Sequence, residues 1–169
     1  QRGSTPHVED ERKAQLVSAQ SLPGGRVLGT VAVEHKSNEI PAARQLLDEA
    51  LALDPDYAPA LAASAQAVLL LNNRISGYGD IPVDRAAAMA QPLLDHALAL
   101  DPKLAEAHAA QGMLFLQQGD SARGEASLAR ALALNPNLAD ALHWQAGLVG
   151  DAGRLSDELA VRQRLAGID

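Results

Sequence analysis

Three copies of one six-residue string punctuate this chain: Ala50-Leu-Ala-Leu-Asp-Pro55, Ala97-Leu-Ala-Leu-Asp-Pro102 and Ala131-Leu-Ala-Leu-Asn-Pro136. Pro102 and Pro136 lie 34 residues apart, and Pro55 and Pro102 lie 47 apart, which is one such period with 13 residues inserted. Ile168-Asp169 stands where a fourth copy would carry Leu-Asp, without its proline. A string that returns at fixed spacing demands the same supersecondary unit each time, and periods of this length point to stacked repeats.

The physics of each copy is legible. An Ala/Leu helix runs into Asp or Asn followed by proline, which stops it at Leu53, Leu100 or Leu134, because the residue before proline avoids the α region. Proline is then expected to open the next helix in its first turn. A second apolar pattern follows over 58–71, 104–118 and 138–149. It is broken at Gly119-Asp120 and at 150–153, with Asp120 or Ser121, and later Ser156, as expected N-caps. Such a pair cannot bury its apolar stripe alone. Stacking on neighbours buries it, and each fully covered Leu contributes roughly 1.5–3 kcal/mol.

Composition agrees. Of the 169 residues 47% are hydrophobic but only 2% aromatic, so the core must be built from small aliphatic side chains. Those favour closely packed helices over a β-sandwich, whose strands prefer aromatic and β-branched residues. With 14 Lys and Arg against 21 Asp and Glu, the net charge of −7 disfavours nucleic acid as a partner of this segment. No basic run suggests a membrane surface, no apolar stretch approaches the roughly 20 residues of a membrane span, and no signal peptide is visible. Without cysteine, disulfides and thiolate metal sites are excluded. An opening at Gln1 rather than methionine fits a processed form or an excerpt of something longer.

The two irregular stretches are less constrained. Residues 1–22 read as an N-terminal segment with an amphipathic helix over 7–20, broken by Pro23-Gly24-Gly25. Residues 26–36 read as the first helix of a degenerate repeat; strand competes there because Val31-Ala32-Val33 is β-favouring. The 13-residue insertion falls between Leu71 and Ala90, with turn chemistry at Asn72-Asn73 and Gly77-Tyr78-Gly79-Asp80. Asp84 is expected to cap a helix reaching Leu100, bent or divided at Pro92.

The 34-residue period, with Gly112, Phe115, Leu128, Ala131 and Pro136, resembles the tetratricopeptide repeat (TPR). His108 stands where that family usually has Trp, Gln111 where it has Leu, and Gly124 where it prefers Ala. The copy ending at Pro102 carries Leu61, Ala65 and Val68, then Ala90, Leu94 and Ala97. The last keeps Leu142, Ala146 and Val149 but has Glu158 and Arg162 at apolar positions, so its final helix is expected to be a solvated cap. The resemblance covers about 41–169. It implies an all-α fold, a right-handed superhelical solenoid of antiparallel helix pairs over 23–169. The degenerate repeat is 24–57, the enlarged one 58–104 with its insertion near 72–84, then 105–138 and a terminal repeat 139–169. More narrowly, Ala50 to Pro136, with Gly77-Tyr-Gly-Asp-Ile-Pro82 and Leu104-Ala-Glu-Ala-His108, is similar to the C-terminal repeat regions of bacterial adenylate-cyclase-like proteins and membrane-tethered winged-helix regulators. That implies a sensory role on the periplasmic side of an inner membrane if the chain belongs to such a regulator, and a cytoplasmic setting otherwise.

In such a solenoid the first helices of successive pairs line a concave face. Its expected stripe comprises Gln66, Leu69 and Leu70, then Glu106, Met113, Leu116 and Gln117, then Asp140 and His143, with Pro59, Ala62, Ala109 and Gly147 beside them. These residues are read as an acidic, partly apolar groove for a protein or peptide of basic character; the competing reading packs several of them inside the chain. Repeat proteins that clamp chaperone carboxylate tails use Lys, Asn and Arg on this stripe, whereas Ala62, Gln66, Glu106 and Ala109 stand here, so that clamp is not expected. No histidines among His7, His35, His96, His108 and His143 share an i, i+4 face, although His108 and His143 are candidates to meet across helices. Glu9-Asp10, Asp48-Glu49 and Asp157-Glu158 are sequence neighbours that diverge around a helix, not acid/base couples. No nucleophile motif or phosphate cradle appears, so the chain reads as a binding module and not an enzyme, with no cofactor or metal.

Overall fold

The computed structural model of the chain describes residues 15–21, 26–33, 39–71 and 81–168. Two strands, β1 (Gln15–Ser21) and β2 (Arg26–Val33), precede α1 (Glu39–Leu53), α2 (Ala58–Leu70), α3 (Val83–Leu100), α4 (Ala105–Gln117), α5 (Ser121–Leu134), α6 (Ala139–Asp151) and α7 (Leu155–Ala166). Pairs α2/α3, α4/α5 and α6/α7 are helical hairpins, and α2, α4 and α6 pack side by side as the first helices of each. The helical solenoid expected from the repeat is therefore what the described residues from 39 onward form.

The Asx-Pro pairs act differently from expectation. In each hexamer the Asx side chain accepts a hydrogen bond from the backbone N–H two residues on: Asp54 from Asp56 at 3.2 Å, Asp101 from Lys103 at 2.9 Å, and Asn135 from Asn137 at 3.2 Å. The backbone N–H of Tyr57, Leu104 and Leu138 closes the same turns onto the Asx carbonyl, each at 3.2 Å. Proline thus takes the second position of an Asx-stabilised turn, where its fixed φ is already correct. The next helix starts three residues later, at Ala58, Ala105 or Ala139, not at the proline.

The opposite ends of the first helices use glycine. Gly119 and Gly153, one repeat period apart, hold φ of 83° and 72°. Asp120 N–H donates to the Phe115 carbonyl and Arg154 N–H to that of Val149, both at 2.9 Å, which is the left-handed C-terminal cap that glycine accepts without strain. Asp120 then caps α5, accepting from the Arg123 N–H at 3.0 Å. Arg123 returns its side chain to Asp120 at 2.5 Å and lies over the Phe115 ring at 4.4 Å. These bonds, the backbone one first, hold the Asp120 carboxyl below its ordinary value of 3.8. A depressed folded value contributes stability that is complete above the unfolded value and is lost as pH falls through the folded one. The melting-temperature gap between wild type and Asp120→Ala should therefore be constant near neutrality and close progressively below pH 3.8. Asp120→Asn, which keeps a capping oxygen, should retain most of the neutral-pH stability without that acid dependence.

Close packing follows from two glycines facing leucines. A Cβ on Gly112 would lie 2.8 Å from Leu128, and one on Gly124 would lie 2.6 Å from Leu116, so α4 and α5 approach through reciprocal knobs and holes. One period later the second of these pairs is inverted: Gly150 provides the hole and Glu158 the knob, at 2.6 Å from where a Gly150 Cβ would sit. Glu158 is paired with Arg162 at 2.7 Å, and Arg162 stands where the preceding repeat has Leu128.

Several local expectations are corrected. The segments expected as N-terminal helix and as opening repeat helix are strands where they are described, pairing antiparallel from Gln15 opposite Val33 to Ser21 opposite Arg26 and lying against α1. Two β-branched and Leu-containing runs either side of Pro-Gly-Gly satisfy each other's backbone, so pairing overrides weak helical periodicity. Residues 7–14 of the expected helix, with His7 and His35, lie outside the described residues, as does the insertion turn 72–80. Helix α3 is continuous through exposed Pro92, starts from Pro82 at its N-cap, and carries Asp84 within its first turn rather than as the cap. Helix α7 has Arg154, not Ser156, at its N-cap position.

Candidate partner-binding face

Helix α4 sits in contact with α2, α3, α5 and α6, and this decides which stripe residues reach solvent. Leu69 and Met113, each 0% exposed, belong to the core shared by α2, α3 and α4. Gln117 is buried and donates to the Leu69 carbonyl at 3.1 Å, tying α4 to α2. Leu70 is half-buried against the same core, and Ala62 and Ala109 are buried. These residues do not line an open groove: neighbouring helices cover the side of α4 that carries Met113 and Gln117. Periodicity finds a helical face but not how many neighbours cover it.

Gln66, Glu106, Asp140, His143 and Leu116 do reach the surface, wholly or in part. Gln66 donates to the Asp140 carboxylate at 2.9 Å, a bond from α2 to α6 that passes over the intervening α4. His143 stacks edge-on against Trp144 with centroids 5.3 Å apart. His108 binds the Pro102 carbonyl through Nε2 at 3.0 Å, and His96 meets Asp56 at 3.0 Å. His108 and His143 are thus engaged separately, and the described residues contain no group of three side chains suited to a metal ion.

Beyond the Asp140 bridge the face opens into a cleft of about 550 Å³ between the ends of α4 and α6 and the start of α5. Leu116, Trp144 and Leu148 form its apolar walls; Ser121, Glu125, Asp151 and Arg154 form its rim. Arg154 reaches Glu125 at 3.6 Å and Asp157 at 3.9 Å. The cleft has a sequence cause. Gly147 stands one period after Met113, which fills the corresponding space in the preceding pair, and nothing lies within 4 Å of where its Cβ would be. Leu116 and Gly147 were on the expected stripe. Trp144, Leu148, Asp151, Ser121, Glu125 and Arg154 were missed, and the signals that point to them are the single Trp and the glycine in a methionine position.

Comparison with known structures agrees with the helical solenoid. A thermophilic TPR protein of Thermus thermophilus superposes with a TM-score of 0.57 at 24% identity, over 76% of this chain and 65% of that one. The fold is a TPR-type solenoid. A mutant O-GlcNAc transferase of Thermobaculum terrenum is similar at TM-score 0.53 and 25% identity, over 68% of this chain. This TPR-type chain spans only 19% of that transferase's length. No protein-family model and no curated protein matches the chain. Among the described residues, no helix is long and apolar enough to cross a membrane.

Proposed function

We propose that this TPR-type solenoid is a protein-interaction module, without catalytic activity of its own, that holds a peptide or helix in the Trp144 cleft. The observation that carries the reading is the glycine at 147. The open space that Gly147 leaves in the cleft, walled by Trp144, Leu116 and Leu148, offers a seat for an apolar side chain of a partner. The carboxylates of Glu125 and Asp151 at the rim, with Glu106 and Asp140 further along the face, favour a basic residue beside that anchor. The TPR-like fold of the structural neighbours supports binding of protein. The likeness of residues 50–136 to the repeat regions of membrane-tethered regulators supports a setting within a larger signalling protein.

The test is selection of binders from a random peptide library displayed against the whole chain, with affinities then measured by fluorescence anisotropy. Selected peptides should share an apolar anchor next to Lys or Arg. Gly147→Met, which fills the void and adds a better helix former, should weaken them by about tenfold or more while the melting temperature is kept or raised. Peptides that bind Gly147→Met as well as wild type, or an acidic consensus, would defeat the reading.

A further inference from the structure

The last hairpin departs from the one before it by exchanging two charges. One repeat period apart, Asp120 and Arg123 at the start of α5 correspond to Arg154 and Asp157 at the start of α7, the same pair in reverse order. In α5 the acid comes first and caps the helix by accepting from the Arg123 N–H. Arg154 has no acceptor to offer, so α7 begins without a side-chain cap and with a cation at the positive end of its dipole. The exchange weakens the helix start. What it supplies instead is a guanidinium at the cleft rim, which reaches Glu125 of α5 at 3.6 Å and Asp157 at 3.9 Å. Both separations are too long for a hydrogen bond, so charge alone holds the group between two carboxylates. Arg154 is 47% exposed and Glu125 61%, which leaves the contact open to exchange.

We propose that Arg154 sets the charge specificity of the Trp144 cleft, by occupying Glu125 until a partner's cation takes its place. This rests on the cleft being the binding seat proposed above. A guanidinium or ammonium beside the apolar anchor replaces Arg154 on Glu125, and Arg154 moves the short way to Asp157, so no charge is left alone. A neutral polar group does not displace it, because it gives Glu125 no charge in return. A carboxylate drawn to Arg154 would sit beside Glu125 and Asp151, and is repelled. The acidic rim is therefore read through a competitor within the chain, which lowers affinity and sharpens the choice of partner.

Trp144 is the chain's single tryptophan and lines the cleft, so its fluorescence reports occupancy. The probes are n-butylguanidinium, an apolar tail with a cation, and n-butanol, a comparable tail without charge, titrated into the whole chain at fixed ionic strength. Arg154→Gln should bind n-butylguanidinium about threefold more tightly than wild type, the worth of one exposed ion pair removed as competitor, and n-butanol equally. Asp157→Asn, which removes the second seat, should weaken n-butylguanidinium binding in wild type but have little effect on top of Arg154→Gln. Glu125→Gln should abolish the advantage of Arg154→Gln. Unchanged or weaker binding of n-butylguanidinium to Arg154→Gln would overturn the proposal, as would an equal gain for n-butanol, which marks a merely structural role. Gly147→Met separates this from failure of the cleft itself. It should exclude both probes; if both bind it as they bind wild type, the cleft reading falls and this proposal with it.

Discussion

Gly112→Leu is expected to lower the free energy of unfolding by about 3 kcal/mol, at the upper end for overpacking a core. The first added carbon alone would lie 2.8 Å from both Cγ and Cδ2 of Leu128 and 3.3 Å from the Gly124 carbonyl. Leu128 cannot step aside, because only 1% of its surface is exposed and it is enclosed by Ala109, Ala131 and Ala141. The backbones of α4 and α5 must separate instead, and every contact between them weakens. Leu128→Ala by itself should cost about 2–5 kcal/mol through the cavity it leaves. Combined, the two changes should cost clearly less than their sum, with a coupling of at least about 1 kcal/mol, because each relieves the other. Urea denaturation of all four proteins measures that coupling, and strict additivity would show that the helices are not held by this contact.

Met113→Ala should cost about 2–5 kcal/mol in the same assay. At a surface position lining a groove, the change would fall within about 0.5 kcal/mol. Met113 is 0% exposed and lies among Leu69, Leu94, Ala110 and Leu114 where α2, α3 and α4 meet. The affinity of folded Met113→Ala for selected peptides should be unchanged, whereas folded Trp144→Ala, at the cleft wall, should lose affinity.

The contrast between those two residues shows how far the sequence could be read. Hairpin boundaries were legible because Asx-Pro and Gly119 are local devices, and their hydrogen bonds lie within a few residues. The Gly112–Leu128 seam was legible because its members keep the family spacing. Met113 and Gln117 were misplaced because their environment is set by α2 and α3, elements outside the helix whose periodicity was read. The strand at Gln15–Ser21 was missed, and strand at Arg26–Val33 stood only as the competing reading, for a related reason: the partner that makes a β-favouring run into a strand is another run, and helical periodicity scores each run alone. The cleft was half seen, since Gly147 stood on the expected stripe but its meaning lies in the comparison with Met113.

One contact alters how the stack behaves as a body. In an array where each unit touches only its neighbours, opening can begin at either end and travel inward unit by unit. Gln66 and Asp140 belong to units that are not adjacent, and Trp144 packs against both the core around Leu94 and the core around Leu128. The last hairpin is thereby moored to the first complete one as well as to the middle one. Peeling it away must disturb two cores at once, so separation of these three units is biased toward a single concerted step, and a partner seated at Trp144 would be felt along the whole array.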